Sequence, residues 1–143
     1  MSRKREETAY VIKAEVADVG AGTFTFTAQK TMYGGKRIAA GDTIFLIASE
    51  NEGGQGLFAM GVVTSARAVP KKPGVARQTP RVSITVRRTA LAKRRLGRAE
   101  LKPHAEWTDG RPETELNFKL YRQATDKIVG LSPGAAAFLR GLF

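Results

Sequence analysis

Thr43 to Val69 reads TIFLIASENEGGQGLFAMGVVTSARAV. TIFLIAS, Thr43 to Ser49, is nearly continuous in apolar residues. A run that short and that apolar predicts a strand buried on both faces. ENEGGQG, residues 50–56, carries the turn residues of a hairpin-like loop. Leu57 to Val69 then predicts a long strand, in which Gly61 marks a bulge or a close approach of another backbone.

Working outward, the β pattern continues. TAYVIKAEV, from Thr8, alternates and reads as a strand. ADVGAG is a turn, and TFTFTAQK, from Thr23, alternates Thr with Phe as a second strand. TMYGGKRIAAGD is irregular, with a Gly34-Gly35 hinge and a Gly41-Asp42 turn. Downstream, Pro70 to Pro80 (PKKPGVARQTP) is a loop. In Arg81 to Thr89, Val82, Ile84 and Val86 alternate with Arg81, Ser83, Thr85 and Arg87, as in a half-buried strand with a basic outer face. ALAKRRLGRAELKP fits a short helix or an extended connector equally, and HAEWTDGRPE is loop-like. NFKLYRQ, Asn117 to Gln123, reads as a strand, and DKIVGLS as its apolar continuation. Ser132 before Pro133 is a helix start. The helix Pro133 to Phe143 would place Ala137, Leu139 and Phe143 on one face. Residues 1–7 are expected to form a flexible arm. No internal period appears. The expectation is one domain, residues 8–143, of α+β but mainly β class. About six strands would curve into a barrel carrying small helices and a C-terminal helix.

The chain has 143 residues, 42% of them hydrophobic, which is enough for an ordinary core. It has no cysteine, which excludes disulfides, thiolate zinc sites and cysteine nucleophiles and fits a reducing compartment. No stretch approaches the roughly 18 consecutive apolar residues that span a bilayer. MSRKREETAY lacks the apolar core of a signal peptide. A cytoplasmic protein with no membrane partner is expected. The formal net charge is +11, and it is uneven. Lys71 to Lys102 holds eleven cations against one acid, Glu100, a net of +10. Such a field attracts polyanions, nucleic acid above all. The plainer reading is a solvated basic face.

Four weak motifs occur in a recognisable order. They are Tyr10-Val11-Ile12-Lys13-Ala14-Glu15 on the first strand, GDTIFLIAS, AMGVVTSA, and YRQATDKIVGLSPGAAAFL at the end. This order, over roughly residues 8–143, resembles the EVE domains of the PUA-like superfamily, which also holds the YTH and ASCH domains. Two departures stand out. Tyr10 and Lys-Ala-Glu-Val occupy positions where EVE domains usually have tryptophan and Lys-Ser-Glu-Pro. Ile47-Ala48-Ser49 stands where an aromatic-His-Ser ending is usual. The resemblance implies a PUA-like barrel with a concave pocket between strands, of the kind that receives a base flipped out of a nucleic acid, sometimes a modified one. Such a base needs a stacking face and a hydrogen-bonding edge, and the flanking backbone needs cations.

The candidate base pocket is Lys13, Tyr33, Ser49, Trp107, Tyr121 and Gln123. Lys13 and Ser49 come from the resemblance, with Glu15 on the face of Lys13 as a structural partner. On a strand, Tyr121 and Gln123 would share one wall, with Phe118, Leu120 and Arg122 on the other side. Gln123 would read a base edge, and Trp107 and Tyr33 would act as lids. The candidate backbone contacts are Lys71, Lys72, Arg87, Arg88, Lys93, Arg94, Arg95 and Arg122. Catalysis finds little support. His104 is the only histidine, no metal-ligand spacing appears, and no glycine motif fits a phosphate. The expectation is a non-enzymatic module that binds DNA or RNA, without metal or cofactor. The alternatives are an ASCH-like hydrolase acting on nucleic acids or nucleotides, and a basic adaptor for an acidic protein or ribonucleoprotein.

Overall fold

Six strands form in chain order: β1 (Ala9–Ala14), β2 (Thr23–Met32), β3 (Thr43–Ala48), β4 (Gly56–Ala68), β5 (Arg81–Leu91) and β6 (Ile128–Leu131). In the computed structural model, which describes residues 9–50, 53–122 and 127–143, they close into a barrel in the order β1-β3-β4-β5-β2-β6. β1 pairs with β3 in parallel and with β6 in antiparallel fashion. The α-helices among the described residues are α1 (Arg98–Leu101), α2 (Pro112–Asn117) and α3 (Pro133–Arg140).

Alternation divides the core in two. Tyr10, Ile12, Ile44, Leu46, Ile84, Val86 and Ile128 fill the barrel. Ala9, Val11, Phe45 and Ile47 point out of it, yet are also buried, against Leu101, Leu116, Leu120 and Leu139. β1 and β3 are therefore covered twice, by the barrel's own interior and by the helices. This is the physical content of the apolar run TIFLIAS. β5 behaves as the half-buried strand its alternation predicts, with Val82, Ile84 and Val86 inside.

The reading of NFKLYRQ as a strand is overturned. α2 runs to Asn117 and continues through a wider π turn over Phe118–Arg122. Leu116, Asn117 and Leu120 are the buried positions, at helical spacing, and Pro112 stands in the first helical turn. A short mixed run satisfies both periods, and packing on β1 selects the helix. β6 alone closes the barrel. Tyr121 is thus placed by a helical turn, not by strand alternation. Gln123 and the N-terminal arm lie outside the described residues.

Three smaller differences follow from packing. β2 extends to Met32, beyond TFTFTAQK, before a short 3₁₀ turn at Gly35–Arg37. ALAKRRLGRAELKP divides, its start ending β5 and Arg98–Leu101 forming α1. In α3 the buried face is Ala135, Ala136 and Leu139, while Ala137 is exposed. Ser132 does cap α3, its Oγ accepting from the Ala135 N–H at 3.1 Å.

Register shifts interrupt several of the ladders, and two of them have a visible local cause. At Gly61 the β4–β5 register shifts, and an added Cβ would lie 2.5 Å from the Arg87 carbonyl oxygen. On β2 the register shifts between Phe26 and Gln29, where Ala28 has φ 51. The Ser83 hydroxyl accepts the Ala28 N–H at 2.8 Å. This bulge changes which residues face inward, from Phe24 and Phe26 to Thr31.

Gly61→Val forces a side chain into the Arg87 carbonyl. It is expected to cost about 2–3 kcal/mol and lower Tm by roughly 5 °C or more, measured by thermal unfolding. Gly53→Ala, where an added Cβ meets nothing within 4 Å but φ is 87, is expected to cost only ~1 kcal/mol.

Candidate nucleic-acid interface

β6 is short, and its pairing with β1 ends at Ile12↔Ile128. Its pairing with β2 covers only Thr31 and Met32. Lys13 and Ala14 at the end of β1, Glu15 just past it, and Thr25, Phe26, Thr27 and Gln29 on β2 line a cleft rather than a ladder. Ser49 completes it, and its volume is about 410 Å³. The Ser49 N–H donates to the Ala14 carbonyl at 2.8 Å, which ties the two strand ends together. Lys13, Glu15, Gln29, Ser49, Thr25 and Thr27 offer both donors and acceptors, with Phe26 as the apolar surface among them.

Lys13 is only 2% exposed. It points toward the helices, and its ammonium lies 4.5 Å from the centre of the Tyr121 ring. The Tyr121 hydroxyl donates to the Glu50 carboxylate at 2.6 Å, and the Arg98 N–H donates to the same carboxylate at 2.9 Å. Burial pushes the Tyr121 phenol well above its ordinary value, and the hydrogen bond and charge of Glu50 add to this. The Arg98 guanidinium lies 4.9 Å from the ring centre. Tyr121 is thus held on both sides and joins Lys13 to α1.

Tyr33 and Trp107 are not lids on this cleft. β2 pairs with β6 in parallel, so that Tyr33, just past its end, meets Gly130, the partner of Tyr10 near the start of β1. Tyr33 and Trp107 border a separate cavity of about 200 Å³ with Arg111, Phe118 and Lys119. Beside it a larger cavity of about 590 Å³ is lined by Tyr10, Tyr33, Arg37, Asp42 and Lys119. Glu115 braces this end. Its carboxylate accepts from the Ser132 N–H at 2.9 Å, from the Ser132 hydroxyl, and from Lys119 at 3.0 Å. Burial works to raise the Glu115 pKa, but the Ser132 hydrogen bonds and the Lys119 ammonium outweigh it, and the net shift is downward.

The basic segment separates into distinct surfaces. Lys71 and Lys72 line a third cleft, of about 620 Å³, with Lys30, Lys36, Arg77 and Arg81. Among the described residues, no carboxylate lines it. The Pro70–Pro80 loop that forms it is folded on itself, because Gln78 accepts from the Lys72 N–H at 2.9 Å and donates to the Lys72 carbonyl at 2.8 Å. Arg87 is exposed on β5, whereas Arg88 turns back to the carbonyls of Gly20 and Ala21. Lys93, Arg94 and Arg95 are exposed after β5, with Arg95 paired to Glu100 at 3.2 Å. Arg122 is exposed and lies over the Phe118 ring at 5.1 Å.

Gln29, Lys30 and Lys36 were not singled out from the sequence. The signal for Gln29 was the break in Thr–Phe alternation at Ala28, which marks the bulge. Lys30 and Lys36 enter because β2 pairs with β5, Lys30 opposite Arg81. Among the described residues, no group of three or more His, Cys, Asp and Glu side chains could hold a metal ion. Among them, too, no helix is long and apolar enough to cross a membrane.

Solved structures share this architecture. Human THYN1, in a structure described as its complex with 5-methylcytosine containing DNA, aligns at TM-score 0.64 and 16% identity, over 95% of this chain and 97% of that one. The chain has the PUA-like barrel fold that the order of its motifs led one to expect. The DUF55 domain of human thymocyte nuclear protein 1 aligns at TM-score 0.62 and 15% identity, over 94% of this chain and 97% of that one. A hypothetical protein from Leishmania major gives TM-score 0.60 and 15% identity, over 97% and 96% of the two chains. No protein-family model and no curated protein matches the sequence. The likeness is therefore one of fold.

The lowered Glu115 pKa has a consequence for stability. A carboxylate whose folded pKa is depressed stabilises above its ordinary value, near 4.5, and loses that contribution as pH falls through the folded value. Glu115→Gln is expected to lower stability at pH 7 and to flatten the loss of stability below about pH 4.5. Urea unfolding from pH 7 to pH 3 measures both effects.

Proposed function

We propose that the protein is a non-enzymatic nucleic-acid-binding module. In this reading the cleft at Lys13, Gln29 and Ser49 accepts a single base, and the cleft at Lys30, Lys36, Lys71, Lys72, Arg77 and Arg81 holds the adjoining phosphates. The observation that carries it is the continuity of these two clefts across β2. Gln29 lines the first and Lys30, the next residue, lines the second. The Arg81 guanidinium spans the bulge between them by donating to the Ala28 carbonyl at 2.8 Å. A flipped base requires this pairing of a polar pocket with cations alongside. The THYN1 structure, with DNA containing 5-methylcytosine, supports the class of ligand and suggests a modified base as one to try.

Two measurements test it. Binding to short DNA and RNA oligonucleotides should weaken with salt. Lys71→Ala with Lys72→Ala should reduce the slope of log K against log salt by about 1.4 to 1.8, as expected for two lost phosphate contacts. A wild-type affinity indifferent to salt sinks the proposal. Gln29→Ala should reduce the preference for DNA carrying 5-methylcytosine over unmodified DNA by roughly 5-fold or more, with little change in salt slope. Equal loss on both DNAs would remove Gln29 from base reading.

A further inference from the structure

Tyr33 and Trp107 lie outside the base cleft, yet both are exposed. Trp107 is 74% exposed and Tyr33 42%. A tryptophan packed on the end of the barrel would be covered. They border one cavity, with Phe118 at its wall, Arg111 and Lys119 beside the rings, and the Glu115 carboxylate paired to Lys119 at 3.0 Å. The Tyr33 ring has the Lys119 ammonium 4.7 Å from its centre.

The turn that presents Tyr33 is firmly held. Tyr33 has φ 53 and Gly34 φ 81, two successive left-handed residues. That conformation is strained for tyrosine and persists only when its surroundings enforce it. They do so here. The Gly130 N–H donates to the Tyr33 carbonyl at 3.1 Å. Gly35 packs so closely that an added Cβ would stand 2.1 Å from the Ile128 carbonyl oxygen. The backbone strain thus keeps an aromatic ring at the rim of a cavity rather than in the core.

Exposed rings flanked by cations are the chemistry that binds single-stranded nucleic acid. Each base offers a face to stack on, and the cations follow the backbone. We infer that the cavity between Tyr33 and Trp107 is a second base-binding site, which stacks an unpaired base of a single strand. It is distinct from the Lys13–Gln29–Ser49 cleft. Tyr10 lines the neighbouring cavity and Lys13 the cleft, three residues along β1, which is about 10 Å. One strand can therefore reach both. The inference rests on the nucleic-acid reading above, but it fails separately from it.

Trp107 is the only tryptophan of the chain, so its emission reports this site alone. The full-length protein is titrated with a single-stranded oligonucleotide of roughly ten nucleotides, with the same strand lacking bases, and with inorganic polyphosphate. Saturable quenching by the first and little by the other two is expected, and it should persist in Gln29→Ala. In fluorescence anisotropy with a labelled oligonucleotide, Trp107→Ala and Tyr33→Ala should each weaken binding about 5-fold or more, with the salt slope unchanged. Both side chains are exposed, so the variants should fold, as far-UV circular dichroism will show. If the oligonucleotide binds but Trp107 emission and the Trp107→Ala affinity do not change, the second site is refuted and the first cleft stands. Equal quenching by polyphosphate would also refute it, because charge rather than a base would be the cause. If no nucleic acid binds at low salt, both readings fall.

Discussion

Four residues close this barrel. β6 spans only Ile128–Leu131, and it must bridge β1 and β2. Among the described residues, Lys13 and Ala14 have no β6 partner in the register, and β2 faces them across a gap. The bulge at Ala28 then turns β2 so that Gln29 lines the gap and Lys30 lines the basic cleft. The principal candidate site therefore arises where strand pairing stops. Closed barrels bury their backbone groups in ladders, and a polar cleft forms most readily where a ladder is interrupted.

The same economy explains Lys13. β1 is covered by the barrel interior on one side and by the helices on the other, so every side chain on it meets a neighbour. A lysine there is costly unless its charge is met. Its ammonium lies over the Tyr121 ring, whose hydroxyl is in turn bound by Glu50. The helical turn at Phe118–Arg122 is what brings Tyr121 to this seam. A strand in its place would have withdrawn Leu120 from the cluster that covers that side of β1.

Charge shows a comparable division. The excess between Lys71 and Lys102 looks like one basic region in one dimension. In three dimensions Lys71, Lys72, Arg77 and Arg81 join Lys30 and Lys36 in a cleft, Arg88 is spent on backbone carbonyls, and Arg95 pairs with Glu100. Local positive potential depends on which cations share a surface and which already have a partner, and sequence position reports neither.

The sequence by itself determined the β character, the closed architecture's approximate strand number, the double burial of β3, the irregularity at Gly61 and the cap at Ser132. Each depends on local chemistry: the period of apolar residues, the freedom of glycine, and the match of serine and proline to a helix start. Lys13 and Ser49 were legible through the order of motifs, and they do share a cleft. Tertiary structure alone decided that Asn117 ends a helix rather than starting a strand, that Tyr33 and Trp107 stand apart from Lys13, and that Gln29 and Lys30 divide two clefts. The physical reason is the same in each case. A seven-residue mixture of rings and charges fits either period equally well, and distance between side chains depends on strand pairing. Both are settled only when burial against a distant segment favours one arrangement.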